Sequence, residues 1–293
     1  MEIEHRRHEP TPEEEARAEA IMTPEQRRMS EERAEFHLQE LPPWDDFEVN
    51  SVDENYERRQ PTPEQREQMI RTLEELGDLM AGTDARWQLD GAMNISLYGG
   101  DFIGVHKDTD ISVEPEDLPS LEGHLLRRGF ALFESQTRDD VNGPRRLKRV
   151  SADQVRRSGG ENVAVNRVDE RGKIIPGGDL NSIDLHLIRR DAEGRGVGNK
   201  GTPLPERWMF PSQRGMSGGP EISTSHPART LYYKLYQGRN YDFTDLDRLA
   251  ETGVLTEQDI DEVEQVLGGR AGGQPRECPC GPGSNRRSSG RRH

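Results

Sequence analysis

Asp108 and Asp110 stand two residues apart in HKDTDISV, a run that ends in Ile111, Ser112 and Val113. On a strand, successive side chains alternate, so both carboxylates project from one face. Adjacent carboxylates raise each other's pKa unless a positive charge lies between them. A divalent cation meets that need, and an all-oxygen donor set suits magnesium. The plain alternative is a strand edge with two solvated charges. A third carboxylate strengthens the metal reading. Ser182 to Ile188, SIDLHLI, alternates cleanly, with Ile183, Leu185 and Leu187 on one face and Asp184 and His186 on the other.

The surrounding sequence supplies elements to position these residues. Thr62-Pro63-Glu64 reads as a cap followed by proline at the first helical position. It opens a helix with Met69, Ile70, Leu73, Leu76, Leu79 and Met80 on its apolar side, ending near Gly82. A short strand, Trp87 to Leu89, leads through the turn Asp90-Gly91 to a helix over Ala92 to Tyr98, then a loop at Gly99-Gly100. Pro115 to Gly129 has helical spacing, and Phe130 to Phe133 reads as the next strand. From Arg138 to Gly178 the chain is polar. One or two hairpins are expected there, with Lys148 to Ser151 and Asn162 to Val168 as strands. Arg189 to Pro205 is a glycine-rich loop, and Trp208 to Ile222 is expected to give an edge strand and turn. Three helices close the chain: one capped by Ser225 or Thr224 and carrying Leu231, Tyr232 and Leu235, one over Thr244 to Leu249, and one from Glu257 to Leu267 introduced by Thr256.

The chain has 293 residues, 30% of them hydrophobic and 32% charged. That composition predicts a modest core with substantial solvated segments. No apolar run is long enough to span a membrane, and MEIEHRRHEP lacks the apolar region of a secretory signal, so the expected compartment is the cytoplasm. Residues 1 to 80 hold 10 Arg and Lys against 23 Asp and Glu, a balance of −13 within a total of −15. Residues 270 to 293 hold six Arg and one Glu, or +5. Thr11-Pro12-Glu13 and Thr23-Pro24-Glu25 predict short charged helices in the acidic lead-in, with Phe36, Leu38, Leu41 and Trp44 available to dock it.

With these pieces in order the chain resembles the nucleotidyltransferase superfamily, the polymerase-beta-like fold. The nearest members are the lincosamide and aminoglycoside nucleotidyltransferases and the minimal enzymes of toxin-antitoxin systems. The match reads Asp90-Gly91, then His106-Lys107-Asp108-Thr109-Asp110-Ile111, then Ile183-Asp184-Leu185-His186, then Lys234, Arg239, Asp242 and Asp245, and it covers about residues 80 to 250. The resemblance implies an α+β fold: a mixed central sheet with flanking helices, a helical N-terminal extension and C-terminal helices. The expected organisation is a charged, partly helical or disordered extension over 1–60, a catalytic domain over 61–200, a C-terminal helical region over 201–268 completing it, and a disordered basic tail over 269–293.

The resemblance also implies a reaction. A nucleoside monophosphate, AMP from ATP for instance, moves to a hydroxyl of a small, antibiotic-like acceptor, or to a transfer RNA or protein in the toxin-antitoxin manner. Asp108, Asp110 and Asp184 are the implied ligands of two magnesium ions, with Asp184 as ligand or general base. Gly91, Lys234 and Arg239 are the implied nucleotide contacts; the plain reading of Lys234 and Arg239 is solvent-exposed surface. His106 and His186 are expected beside the carboxylates. One position departs from the pattern: Asp90 replaces the first glycine of the family's phosphate turn. Its carboxylate either faces the triphosphate or caps the helix at Ala92. A non-catalytic interaction protein that kept the fold is the reading from a different class. Cys278 and Cys280, in ECPCGPGSNRR, resemble half of a zinc motif. Only His293 is at hand as a third ligand, so zinc is not expected.

Overall fold

A computed structural model of the chain describes residues 38–41, 60–106, 109–135, 145–160, 162–175, 178–180, 182–215 and 219–268. Asp108, the caps expected at Thr11 and Thr23, and the Cys278 and Cys280 pair lie outside these residues. The order of elements is β1 (Leu38–Leu41), α1 (Pro63–Met80), β2 (Trp87–Leu89), α2 (Gly91–Gly99), β3 (Thr109–Val113), α3 (Leu118–Arg127), β4 (Phe130–Ser135), β5 (Arg145–Arg149), α4 (Ala152–Ser158), β6 (Val163–Arg167), β7 (Ser182–Leu187), β8 (Ser212–Gly215), β9 (Glu221–Thr224), α5 (Pro227–Gln237), α6 (Asn240–Glu251) and α7 (Glu257–Gly268). The fold is α+β. One mixed sheet runs β1-β5-β4-β6-β7-β3-β2-β9-β8. Its β3–β7 and β2–β9 pairs are parallel and the others antiparallel.

The helix α1 starts where the sequence says it should, because Thr62 and Gln65 close a reciprocal capping box: the Gln65 amide donates to Thr62 Oγ1, and the Thr62 amide donates to Gln65 Oε1. Its Met69, Leu73, Leu76 and Leu79 pack with Ile111, Val113, Ile183 and Leu185 of the central strands and with Leu118, Leu121 and Leu125 of α3. One face of the sheet is therefore core. The alternate residues, Asp110, Ser112, Asp184 and His186, occupy the other face.

Several elements differ from the sequence reading. Ser151 ends no strand; it caps α4 in a capping box with Gln154, where only hairpins were expected. Trp208 belongs to a short 3-10 turn, Glu206–Met209, because its indole is fully buried and donates to Glu262 Oε2 at 3.0 Å. The cap of α5 is neither Ser225 nor Thr224. Thr224 ends β9, Ser225 joins a buried hydrogen-bond cluster with Asn94 and Thr230, and His226 Nδ1 accepts the Ala228 amide at 3.2 Å. Within the extension expected to be helical, Leu38–Leu41 pairs with β5 as an edge strand. Gln39 fixes it, donating to the Gly172 carbonyl and accepting from the Ile174 amide. No helix among the described residues is long and apolar enough to cross a membrane.

The closing helices are braced by Arg207, which donates from Nε to Glu262 and pairs through Nη2 with Asp259 at 2.7 Å. Burial, helped by Arg207, pulls the His226 pKa below its ordinary 6.5. Burial acts to raise Asp259, but bonds from Thr256 and Arg207 hold it below its ordinary 3.8. Both shifts make the unfolded chain the better proton binder as pH falls. The His226 contribution is complete above 6.5 and is lost as pH falls from there through its folded value; the Asp259 contribution is lost in the same way below 3.8. His186, raised to about 9, acts the other way between pH 5 and pH 8, so the His226 contribution is read by comparison. In thermal melts by circular dichroism His226→Asn, which keeps a capping oxygen, should have a higher Tm at pH 5 relative to pH 8 than the wild type has. The same pH 5 to pH 8 difference in both proteins would contradict the assignment.

Candidate active site

Two rows of side chains, polar over β2, β3 and β7, cross the sheet on the face away from its main core. In the first, Asp110 of β3 is in register with Asp184 of β7, and the row continues through Ala164 and Phe133 to Arg149. Asp90, just beyond β2, joins it by donating its amide to the Asp110 carbonyl at 2.8 Å. In the second row, Gln88, Ser112 and His186 are in register across β2, β3 and β7. Parallel pairing of β3 with β7 is what brings residues 74 positions apart to one point, and strand alternation gives them a common side.

Each of two carboxylates has a cation from the second row or above it. Asp110 Oδ1 accepts from His186 Nε2 at 3.2 Å. Displacement of water by neighbouring groups opposes charge on both, although the His186 side chain is 55% exposed; Asp110 still lifts His186 to about 9, with Asp90 and Asp184 adding to it, so the imidazole is cationic at neutral pH. Against the same loss of water, His186, Lys234 and Arg239 hold Asp110 below the ordinary carboxylate value. Asp90 Oδ2 lies 3.5 Å from Nη2 of Arg229, which also donates to Ser112 Oγ at 3.0 Å. Arg229 comes from α5, is 4% exposed, and stands over the Tyr233 ring at 5.7 Å. The sequence reading passed over Arg229. Its signal was Arg and Tyr four apart on a helix, which places the guanidinium on the ring.

The pairing corrects the expectation that Asp90 caps the helix at Ala92. The helix α2 begins at Gly91, not Ala92, and Asp90 occupies the cap position without a side-chain cap bond. Gly91 has φ +70, and a Cβ there would overlap Asp110 Oδ2 and sit 3.2 Å from Asp110 Cγ. Only glycine lets the backbone come this near the carboxylate.

Lys234 is not the exposed lysine of the plain reading. It is buried at 6% exposure, its Nζ donating to Asp242 Oδ1 at 2.9 Å and Asp245 Oδ2 at 2.6 Å, both carboxylates fully buried. Arg239 is half exposed and forks onto Asp242 at 2.9 and 3.1 Å. These contacts tie α5 to α6, and the charges still reach Asp110. His106 is buried, with Nε2 3.2 Å from the Ile103 carbonyl. Among the described residues no three His, Cys, Asp or Glu side chains gather as a metal site. Asp110 and Asp184 offer an oxygen-only pair on one face, which suits a hard cation. Asp108, the expected third ligand, lies outside the described residues.

No protein-family model matches the chain, and no curated protein does. Eighteen chains of solved structures match it. The antibiotic-resistance factor ANT(2'')-Ia in solution is similar at 12% identity and TM-score 0.42, over 70% of this chain and 94% of that one. The lincosamide antibiotic adenylyltransferase LnuA, lincomycin-bound, is similar at 14% identity and TM-score 0.34, over 71% and 98%. An antigenic nucleotidyltransferase-like protein from Paracoccidioides brasiliensis is similar at 11% identity and TM-score 0.36, over 70% and 89%.

Proposed function

We propose that the protein is a magnesium-dependent nucleotidyltransferase that moves a nucleoside monophosphate, AMP from ATP in the first instance, to a hydroxyl of a small acceptor of the antibiotic class. The observation that carries this reading is the register of Asp110 with Asp184 on one face, with Gly91 packed against the Asp110 carboxylate. Asp108, Asp110 and Asp184 would hold the metal, whose chemistry is to neutralise the triphosphate and the departing pyrophosphate.

The chain's own residues have distinct tasks in this reading. His186 keeps Asp110 ionised and orients its Oδ1. Asp184, next to Asp110, is the group to accept the proton from the acceptor hydroxyl. Gly91 opens the backbone at the start of α2, where amide donors and the helix dipole favour an anion. Lys234 and Arg239 add positive potential behind the carboxylates while their own geometry is held by Asp242 and Asp245. Positioning and electrostatics supply the rate, because phosphoryl-group chemistry asks for little covalent help.

Calorimetry with ATP and with the other nucleoside triphosphates, with and without magnesium, tests the reading. Binding is expected in the micromolar to millimolar range and to weaken when magnesium is withheld. No heat from any triphosphate at millimolar concentration, with magnesium present, would overturn it and favour a non-catalytic protein that kept the fold.

A further inference from the structure

The corner formed by Asp90, Arg229, Gln88 and Ser112 contains more polar capacity than it uses. Among the described residues Arg229 Nη1, which is buried, has no hydrogen-bond partner, and neither has either amide atom of Gln88, 1% exposed and in register with Ser112. Leaving such groups unpaired is costly, so the corner has spare donor capacity. An aspartate at a helix cap position ordinarily accepts one of the first amides of its own helix. Asp90 has the extended cap backbone, φ −118 and ψ −169, yet makes no such bond. Its carboxylate is turned to Arg229 instead.

We propose that Arg229 is a positioning residue that holds the Asp90 carboxylate away from the amino end of α2, so that the amides there can receive a phosphate of the nucleotide. This rests on the nucleotidyl-transfer reading. An aspartate at this turn would otherwise do two kinds of harm: its oxygens would consume the donors of α2, and its charge would oppose the triphosphate. Arg229 removes both effects with one contact. Ser112 and the Tyr233 ring fix the guanidinium from two other sides, so that it cannot follow Asp90 toward the helix.

The test uses the full chain as wild type, Asp90→Asn, Arg229→Lys, Arg229→Met and the Asp90→Asn/Arg229→Met pair. ATP–magnesium binding is measured by calorimetry, folding by thermal melts, and amide hydrogen exchange is followed at Ala92 and Met93. Arg229→Met should weaken ATP binding about tenfold, the effect of one charge at a helix terminus, and raise KM with little change in kcat. It should also slow exchange at Ala92 and Met93, because the released carboxylate caps α2. Adding Asp90→Asn, which removes the charge but keeps an oxygen able to cap α2, should recover part of the lost affinity, which loss of a merely structural arginine would not allow. Arg229→Lys, which keeps the charge, should bind within a few-fold of wild type, and Asp90→Asn alone at least as tightly. Unchanged binding in Arg229→Met, no recovery in the double variant, or loss of binding in Asp90→Asn would each overturn the proposal. Should Arg229→Met not fold, the Asp90→Asn and Arg229→Lys results decide it. Should the wild type bind no nucleotide, the nucleotidyl-transfer reading falls, and Ala92 and Met93 exchange in the Arg229 variants still decides whether Arg229 restrains Asp90.

Discussion

Replacing Gly91 by alanine is expected to reduce nucleotidyl transfer by about 10²-fold or more while leaving the fold in place. Two effects act at this position. The backbone sits at φ +70, where a side chain costs about 1–2 kcal/mol. The larger effect is steric, because the new Cβ would occupy the space of Asp110 Oδ2 and crowd Asp110 Cγ at 3.2 Å. Asp110 must then rotate away from His186 and from its common side with Asp184. Gly82→Ala is the matched control: its φ is +75 with nothing within 4 Å of an added Cβ, so it carries the backbone cost alone. Steady-state rates with circular dichroism on both variants check this. Equal activity in Gly91→Ala and Gly82→Ala would contradict it.

Lys234→Met should produce the largest loss of stability. It leaves Asp242 and Asp245, both fully buried, sharing an ammonium that is no longer there. Breaking a buried pair from one side costs about 3–5 kcal/mol, since an uncompensated charge remains. For a domain of this size that lowers Tm by roughly 6–20 °C. Arg239 still covers part of Asp242, and neutralising Asp245 removes the other carboxylate that Lys234 serves. Adding Asp245→Asn should therefore recover part of the deficit, a coupling that independent sites would not show. A Tm within measurement error of wild type for Lys234→Met would contradict the account.

The parts of the fold set by local patterns were legible in the sequence. Thr62-Pro63-Glu64 and the alternation of SIDLHLI depend on near neighbours, and α1 and β7 form where those signals lie. That Asp110 and Asp184 project from faces of the same polarity also follows from two alternating strands; their register is set by the parallel pairing of β3 with β7. What escaped depends on contacts between distant segments. Ser151 is the exception, because its capping box with Gln154 is a local signal that the hairpin reading passed over. Trp208 was expected to open an edge strand, but its indole is anchored by Glu262, 54 positions away. Arg229 and Lys234 look like surface residues on a polar helix; each is buried because its partner, Asp90 in one case and Asp242 with Asp245 in the other, waits on another element. Asp90 itself looked like an intrusion in a phosphate turn, and its meaning changed once Arg229 stood beside it.

Transfer of the α-phosphate label from each labelled nucleoside triphosphate to hydroxyl-bearing acceptors, aminoglycosides and lincosamides among them, with magnesium present, tests the central claim most directly. The wild type should move label from at least one triphosphate to an acceptor and release pyrophosphate, and Asp110→Ala and Asp184→Ala, folded by circular dichroism, should lose about 10³-fold or more of that rate. Transfer that persists undiminished in both variants, or none by the wild type with any triphosphate and acceptor, would contradict the account.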